Sequence, residues 1–329
     1  MSAEAADGSR DSPEDPGPRT PPLLTSDEVA TAAGVSIEDA RRLWRALGFP
    51  DAGGDAAFTS SDLDALLVVS RAVAAGDLDQ ETATRLTRAL GNTMARLADW
   101  QVSTLAEYAD NRTRSSEGRD PSSALSMAQT LAPAFEQLLV YAWRRHLSAA
   151  MSRMANVGGA QEELLTSELT VGFADLVSFT QLTNRLDDDD LAFLVEAFES
   201  RCTDLITASG GRAIKTLGDS VLFVADSPTA AVAIALDIVD EIGPDATLPD
   251  VRVGLASGSV ITRLGDVYGP PVNLASRLTT VARRNRVITD HVTAGALPPD
   301  LYETRSLTPR PLRGFGVVEP VTVRRRWSF

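Results

Sequence analysis

Apolar residues recur along this chain with two different periods, and the change of period divides it. As far as residue 155 the spacing is three and four, which marks a helix with one face turned to a core. Ala40, Leu43, Trp44 and Leu47 follow Ser36, with Asp39 three residues on in the manner of a capping box. A second helix follows Ser61 and carries Leu63, Leu66, Leu67 and Val73. A third carries Leu86, Leu90, Leu97, Trp100, Leu105 and Tyr108. Residues 121–155 form the longest periodic run, with Leu131, Phe135, Leu138, Leu139, Trp143, Leu147, Met151 and Met154 on one stripe. Val157-Gly158-Gly159 breaks it and predicts a hinge over 156–164.

From residue 165 short apolar runs alternate with helical patterns. Leu169 to Phe173 reads as a strand that ends at Asp175. Helical spacing covers about 178–186 and 190–208. Arg212 to Leu217 and Ser220 to Ala225 read as strands joined by Gly218-Asp219, a glycine-first turn that suits a hairpin. A helix over 228–242 follows, then strands at Val251–Ala256 and near Val260–Leu264, then a helix over 272–284. The order β-α-β-β-α-β is that of a ferredoxin-like core. The predicted class is α+β: an all-α part over 25–120, a linker helix and hinge over 121–164, and a ferredoxin-like domain over 165–329. Residues 1–24 hold Pro, Asp, Glu, Gly and Ser with almost nothing apolar, and predict a disordered acidic tail.

Charge narrows the choice of partner. The net charge is −14, which argues against nucleic acid, because phosphate binding needs clustered cations. The stretch from Thr25 to Leu67 loosely resembles a MerR-type helix-turn-helix. Yet residues 20–150 hold 17 acidic against 12 basic side chains, the wrong balance for reading DNA. The lone Cys202 excludes an internal disulfide or a cysteine zinc site and falls on an apolar helix face, as a core residue does. No run approaches the ~20 apolar residues of a membrane span. No secretory pattern opens the chain, and a cytoplasmic protein is expected.

One lysine stands among the 31 basic side chains, in Ile214-Lys215-Thr216-Leu217-Gly218-Asp219. A chain that otherwise uses arginine keeps lysine where a compact ammonium is needed and a planar guanidinium would not fit. Asp175, ending a strand, and Asp219, in a hairpin turn, can converge as two hard oxygen ligands suited to Mg²⁺ or Mn²⁺. Asn273 and Arg277 are four apart and share a helix face.

Three segments carry a resemblance: FADLVSFT at 173–180, IKTLGDSVLF at 214–223 and DVYGPPVNLASRL at 266–278. They resemble, in order, the signature segments of class III nucleotidyl cyclases. The resemblance covers roughly 165–329. It implies that Asp175, Asp219 and the carbonyl of Leu176 hold two divalent cations, and that the ribose 3′-hydroxyl of a nucleoside triphosphate attacks the α-phosphorus. It further implies that Lys215 and Asp266 read the purine, as adenine rather than guanine. Asn273 would orient the ribose, and Arg277 would stabilise charge on the phosphates. Arg263 is read equally well as a phosphate contact or a solvated loop arginine. ATP is therefore the implied substrate, and a head-to-tail homodimer with composite active sites the implied assembly. Two departures stand out: Ser178 where glycine is common, and a short segment between Gly258 and Asp266 followed by Pro270-Pro271.

The helical half is similar to the N-terminal regulatory domains of actinobacterial adenylyl cyclases. That similarity implies regulation by the helical half, in some members according to pH; an apolar ligand such as a fatty acid among the N-terminal helices is the other regulator the sequence leaves open. His146, inside the long stripe beside Arg144 and Arg145, reads as a structural interface histidine. The rival reading is a transcription regulator with a nucleotide-sensing cyclase-like domain. The acidic N-terminal half opposes it.

Overall fold

The computed structural model describes residues 23–50, 56–113, 121–156, 166–263 and 265–326. The expected tail as far as residue 22, the hinge at 156–164 beyond Asn156, and Leu264 lie outside the described residues, while Leu24, counted in that tail, is ordered by a bridge to Phe58. The chain divides between Trp143 and Arg144 into two compact units.

The first unit is helical throughout its named elements. Helix α1 (Ser26–Ala33) starts at a full capping box, in which Thr25 and Glu28 satisfy each other's backbone N–H groups, and stops at Gly34 with φ +69°. Helix α2 (Ile37–Leu47) is capped by Ser36, whose Oγ accepts from Asp39 N at 3.1 Å. Asp39 does not complete the expected box: its carboxylate accepts from the Ser36 hydroxyl rather than the Ser36 backbone. Helix α3 (Ser60–Ala74) has the box that the sequence reading missed, between Thr59 and Asp62. Val29, Leu43, Trp44, Phe58 and Leu66 form the small core of this region, with Trp44 and Phe58 stacked at 4.1 Å. Helices α4 (Gln80–Thr113) and α5 (Pro121–Asn156) are far longer. The apolar stripe read on α5 is not buried by this chain: Leu138, Trp143, Met151 and Met154 are all exposed.

The second unit opens with β1 (Thr166–Leu176), the short helix α6 (Phe179–Thr183) and α7 (Asp188–Ala208). The hairpin of β2 (Arg212–Thr216) and β3 (Ser220–Ala225) follows, then α8 (Pro228–Ile242), β4 (Val251–Arg263), β5 (Asp266–Tyr268) and α9 (Pro270–Val281). The chain ends with β6 (Arg286–Thr289), α10 (His291–Gly295), β7 (Tyr302–Ser306), β8 (Arg310–Leu312), β9 (Gly316–Val318) and β10 (Val321–Arg325). The main sheet runs β2-β3-β1-β4-β6-β10-β7, with β5 paired to β4, and β8 pairs with β9 separately. Its first four strands keep the ferredoxin-like order, all neighbours antiparallel.

Alternation along β1 decides the layering. Ala174 and Leu176 join the core built with α7 and α8, whereas Val171 and Phe173 join the core built with α9. Cys202 is fully buried in the first of these cores, and burial, with Glu199 nearby, pushes its thiol pKa up. Where α9 crosses β4, a Cβ on Gly254 would lie 2.3 Å from Thr279 N and 2.5 Å from Ala275 O, so only glycine fits.

Three expectations are corrected. The strands expected at 251–256 and 260–264 are one strand, β4, which pairs along the whole of β1. The helix expected over 178–186 closes as α6 after five residues. The helix expected over 272–284 starts at Pro270 and ends at Val281, because the two prolines occupy its first positions, where a missing N–H costs nothing.

Candidate functional site

The end of β1 brings the two predicted carboxylates to one place. Asp175 lies opposite Ser220 on β3 and Arg252 on β4. Its Oδ1 accepts from the Ser220 hydroxyl. Its Oδ2 accepts from Arg252 Nε at 2.8 Å and Nη2 at 2.6 Å. Arg252 also donates to the carbonyl of Thr280 at 3.2 Å, which ties the guanidinium to the end of α9.

Asp219 reaches the same place from the β2–β3 turn. Gly218, with φ +68°, makes that turn, and Leu217 N donates to Ser220 O at 2.7 Å across it. The carbonyl of Asp219 accepts from Leu176 N at 3.0 Å, which fastens the turn to β1. Burial, then the negative charge of Asp175, raise the Asp219 pKa against a backbone hydrogen bond and Arg252. Two carboxylates therefore lie near enough to repel each other, with one guanidinium bonded to Asp175.

The donor set fits a hard divalent cation. Asp175 and Asp219 supply carboxylates, the Leu176 carbonyl follows directly on Asp175, and water or phosphate can complete six oxygens. Among the described residues no group of three His, Cys, Asp or Glu side chains gathers to hold a metal by side chains alone. A site of two carboxylates leaves several positions open to a phosphate ligand.

Lys215 and Asp266 form a second cluster. Lys215 lies opposite Leu222, and Asp266 opposite Arg263 at the far end of β4. Lys215 Nζ donates to Asp266 Oδ2 at 2.5 Å, and Val267 N donates to Asp266 Oδ1 at 2.8 Å. Burial pushes the Asp266 carboxyl up, but the hydrogen bonds from Lys215 and Val267 and the lysine charge outweigh it and lower the pKa. A cationic donor thus stands beside an anionic acceptor, both half-buried and both still reachable from solvent.

Asn273 and Arg277 occupy the exposed face of α9, and neither makes a side-chain hydrogen bond or ion pair among the described residues. No hydrogen bond or ion pair among the described residues joins the three groups to one another. Arg263 is exposed. Ser178 has φ +63° and ψ +25°, a left-handed conformation that costs a non-glycine residue about 1 kcal/mol.

Sequence reasoning missed Arg252 and Ser220. Ser220 is legible as the residue after Asp219. Arg252 sits in an apolar strand between Val251 and Val253, and only the pairing register of β1 with β4 sets it against Asp175.

Comparison with known proteins adds a family. Residues 162–323 match the adenylate and guanylate cyclase catalytic domain. An adenylate cyclase of Streptomyces coelicolor is 40% identical over 326 residues, covering 91% of this chain and 85% of the relative. An adenylate cyclase of Glutamicibacter nicotianae is 39% identical over 313 residues, covering 89% and 76%. A pH-sensitive adenylate cyclase of Mycobacterium tuberculosis is 30% identical over 315 residues, covering 92% and 78%. Among the described residues no helix is long and apolar enough to cross a membrane.

Proposed function

Since this chain belongs to the adenylate and guanylate cyclase family and is an adenylate cyclase, we propose that it cyclises ATP in composite sites of a homodimer. The 3′-oxygen of the ribose forms a bond to the α-phosphorus, and the bond from that phosphorus to the bridging oxygen of the β-phosphate breaks. The products are 3′,5′-cyclic AMP and pyrophosphate, and the hydroxyl proton passes to solvent. The observation that carries the choice of base is the Lys215–Asp266 pair at 2.5 Å. An ammonium donates to the adenine ring nitrogen, and a carboxylate accepts from the exocyclic amine. Guanine offers the reverse pattern and would leave both groups mispaired, which is a costly mismatch.

Each remaining side chain has a role that its position supports. Asp175, Asp219 and the Leu176 carbonyl hold two divalent cations, Mg²⁺ or Mn²⁺, which supply polarisation of the attacking oxygen and neutralisation of the leaving one. Arg252 and Ser220 keep the Asp175 carboxylate in one orientation. Asn273 orients the ribose, and Arg277 donates to phosphate oxygens as charge moves onto them. Both face away from their own unit's core, a placement suited to a site completed by a second copy.

The first unit is proposed to regulate this assembly. The exposed stripe of α5 suits pairing with a second helix, and the pH-sensitive relative supports a proton as the signal. The reading as a DNA-binding transcription regulator is not favoured, since relatives covering nine-tenths of the chain are adenylate cyclases.

Mixing two inactive full-length variants tests the composite site. Asp175→Asn damages one half-site and Arg277→Ala the other, so their mixed dimer retains one intact site. Cyclic AMP production well above that of either variant alone is expected. A mixture no more active than its parts overturns the composite homodimer, while activity of the unmutated chain keeps the enzyme.

A further inference from the structure

The sheet face that carries Asp175 continues into a row of arginines. Asp175 lies opposite Arg252, and Arg252 opposite Arg286 on β6. On β10, Val323 lies opposite Val287, and the next residue, Arg324, faces Glu303 on β7. Beyond this row, the end of α9 and strands β6, β7 and β10 surround a cleft of about 520 Å³. Arg283, Arg286, Arg305 and Arg310 line it together with Arg324.

Arg324 is neutralised by Glu303 at 2.7 Å. Among the described residues the side chains of the other four make no ion pair and no hydrogen bond. In a chain of net charge −14, four unpaired arginines round one concavity form a local field opposite to the whole molecule's. A guanidinium presents a fork of donors that matches phosphate oxygens in pairs. Ile288 and Leu307 add apolar contact to a mostly polar lining, and the volume lies in the range of small-molecule sites. A concavity of this size suits a compact ligand better than a flat lipid surface.

We propose that this cleft binds a polyphosphate anion, either free pyrophosphate or the phosphate chain of a nucleotide, at a site separate from the one where ATP reacts. Arg286 also lines the neighbouring depression formed with Val177 and Arg252. The second site therefore borders the catalytic carboxylates, where pyrophosphate is released.

Calorimetric titration of the full-length Asp175→Asn/Asp219→Asn chain in EDTA separates this site from metal-dependent binding at the reacting centre. Sodium pyrophosphate and a non-cyclisable ATP analogue are titrated in turn, and vesicles of phosphatidylglycerol are tested by co-sedimentation. Binding of at least one of the two soluble ligands is expected. Adding Arg305→Ala/Arg310→Ala should weaken it at least about tenfold, and Arg305→Lys/Arg310→Lys should recover part of it. Circular dichroism of each variant reports folding. Pyrophosphate that binds as tightly as the analogue identifies the free anion as sufficient; an analogue that binds more than tenfold tighter identifies a nucleotide. Absence of binding, binding indifferent to Arg305 and Arg310, or arginine-dependent capture by vesicles alone overturns the proposal.

Discussion

Replacing Arg252 by Met removes the guanidinium from Asp175 and leaves an unbranched stem in its place. Two charge-assisted hydrogen bonds, at 2.8 and 2.6 Å, end on one carboxylate oxygen and are lost together. The Arg252 and Asp175 side chains are 27% and 14% exposed. A solvent-exposed pair contributes about 0–1 kcal/mol, and breaking a sealed pair costs about 3–5 kcal/mol. Lying between these limits, this pair should lose about 2 kcal/mol on the substitution. For a unit of this size that lowers Tm by about 4–8 °C. The assay is thermal unfolding of the metal-free chain in a double-mutant cycle with Asp175→Asn, which isolates the pair from every other contact of either residue. A coupling of about 2 kcal/mol is expected, and a coupling under ~0.5 kcal/mol, the additive limit, would refute the reasoning. The same cycle has a second arm. Freed of Arg252, the Asp175 carboxylate has more lone pairs to offer a cation, so Mg²⁺ should raise the Tm of the variant by more than it raises that of the unmutated chain.

Asp219→Asn removes the half-buried anion that faces Asp175. Because the folded pKa of Asp219 is raised, by burial first and the Asp175 charge second, its contribution to stability is full below the ordinary carboxylate pKa and lost as pH rises through the raised one. The metal-free variant should therefore melt at the same temperature as the parent in acid and above it near neutrality, while ATP turnover falls at least ~100-fold; a variant less stable at both ends of a pH 3–7 series contradicts this. Lys215→Ala removes a charge-assisted donor to the base and leaves Asp266 without its lysine, so kcat/KM for ATP should fall about 10–100-fold, measured against GTP in the same assay; an unchanged ATP-to-GTP ratio would remove Lys215 from base recognition. Gly254→Ala drives a methyl into the backbone of α9 at Thr279 and Ala275, and a loss of about 1–3 kcal/mol is expected in urea unfolding.

The motif-bearing part of the fold was legible because its elements are long and their apolar periods clear. Strand β1 alternates between two cores, α8 is apolar enough to be read at once, and Gly218 announces a hairpin. The chain beyond α9 was not, since β6, β8 and β9 are three or four residues long, too short for any period to show. Pairing register is the other blind spot. Asp175 and Asp219 could be placed near one another from strand ends and turns alone. Arg252 could not, because a single arginine among valines acquires its meaning only from the strand beside it. The capping residues show a related ambiguity: Thr25, Ser36 and Thr59 all stand three residues before an acid, yet Ser36 bonds its acid through its own hydroxyl instead of through its backbone.

The fit of α9 over Gly254 bears on how firmly Asn273 and Arg277 are held. With backbone atoms of α9 so near the Cα of β4, that helix cannot slide or roll on the sheet without a steric collision. Arg252 fastens the same C-terminal end, through the carbonyl of Thr280. Mechanically, α9 is a rail bolted to the sheet rather than a lever hinged on it. Asn273 and Arg277 are therefore carried on a helix whose position is set by the same strand that faces Asp175.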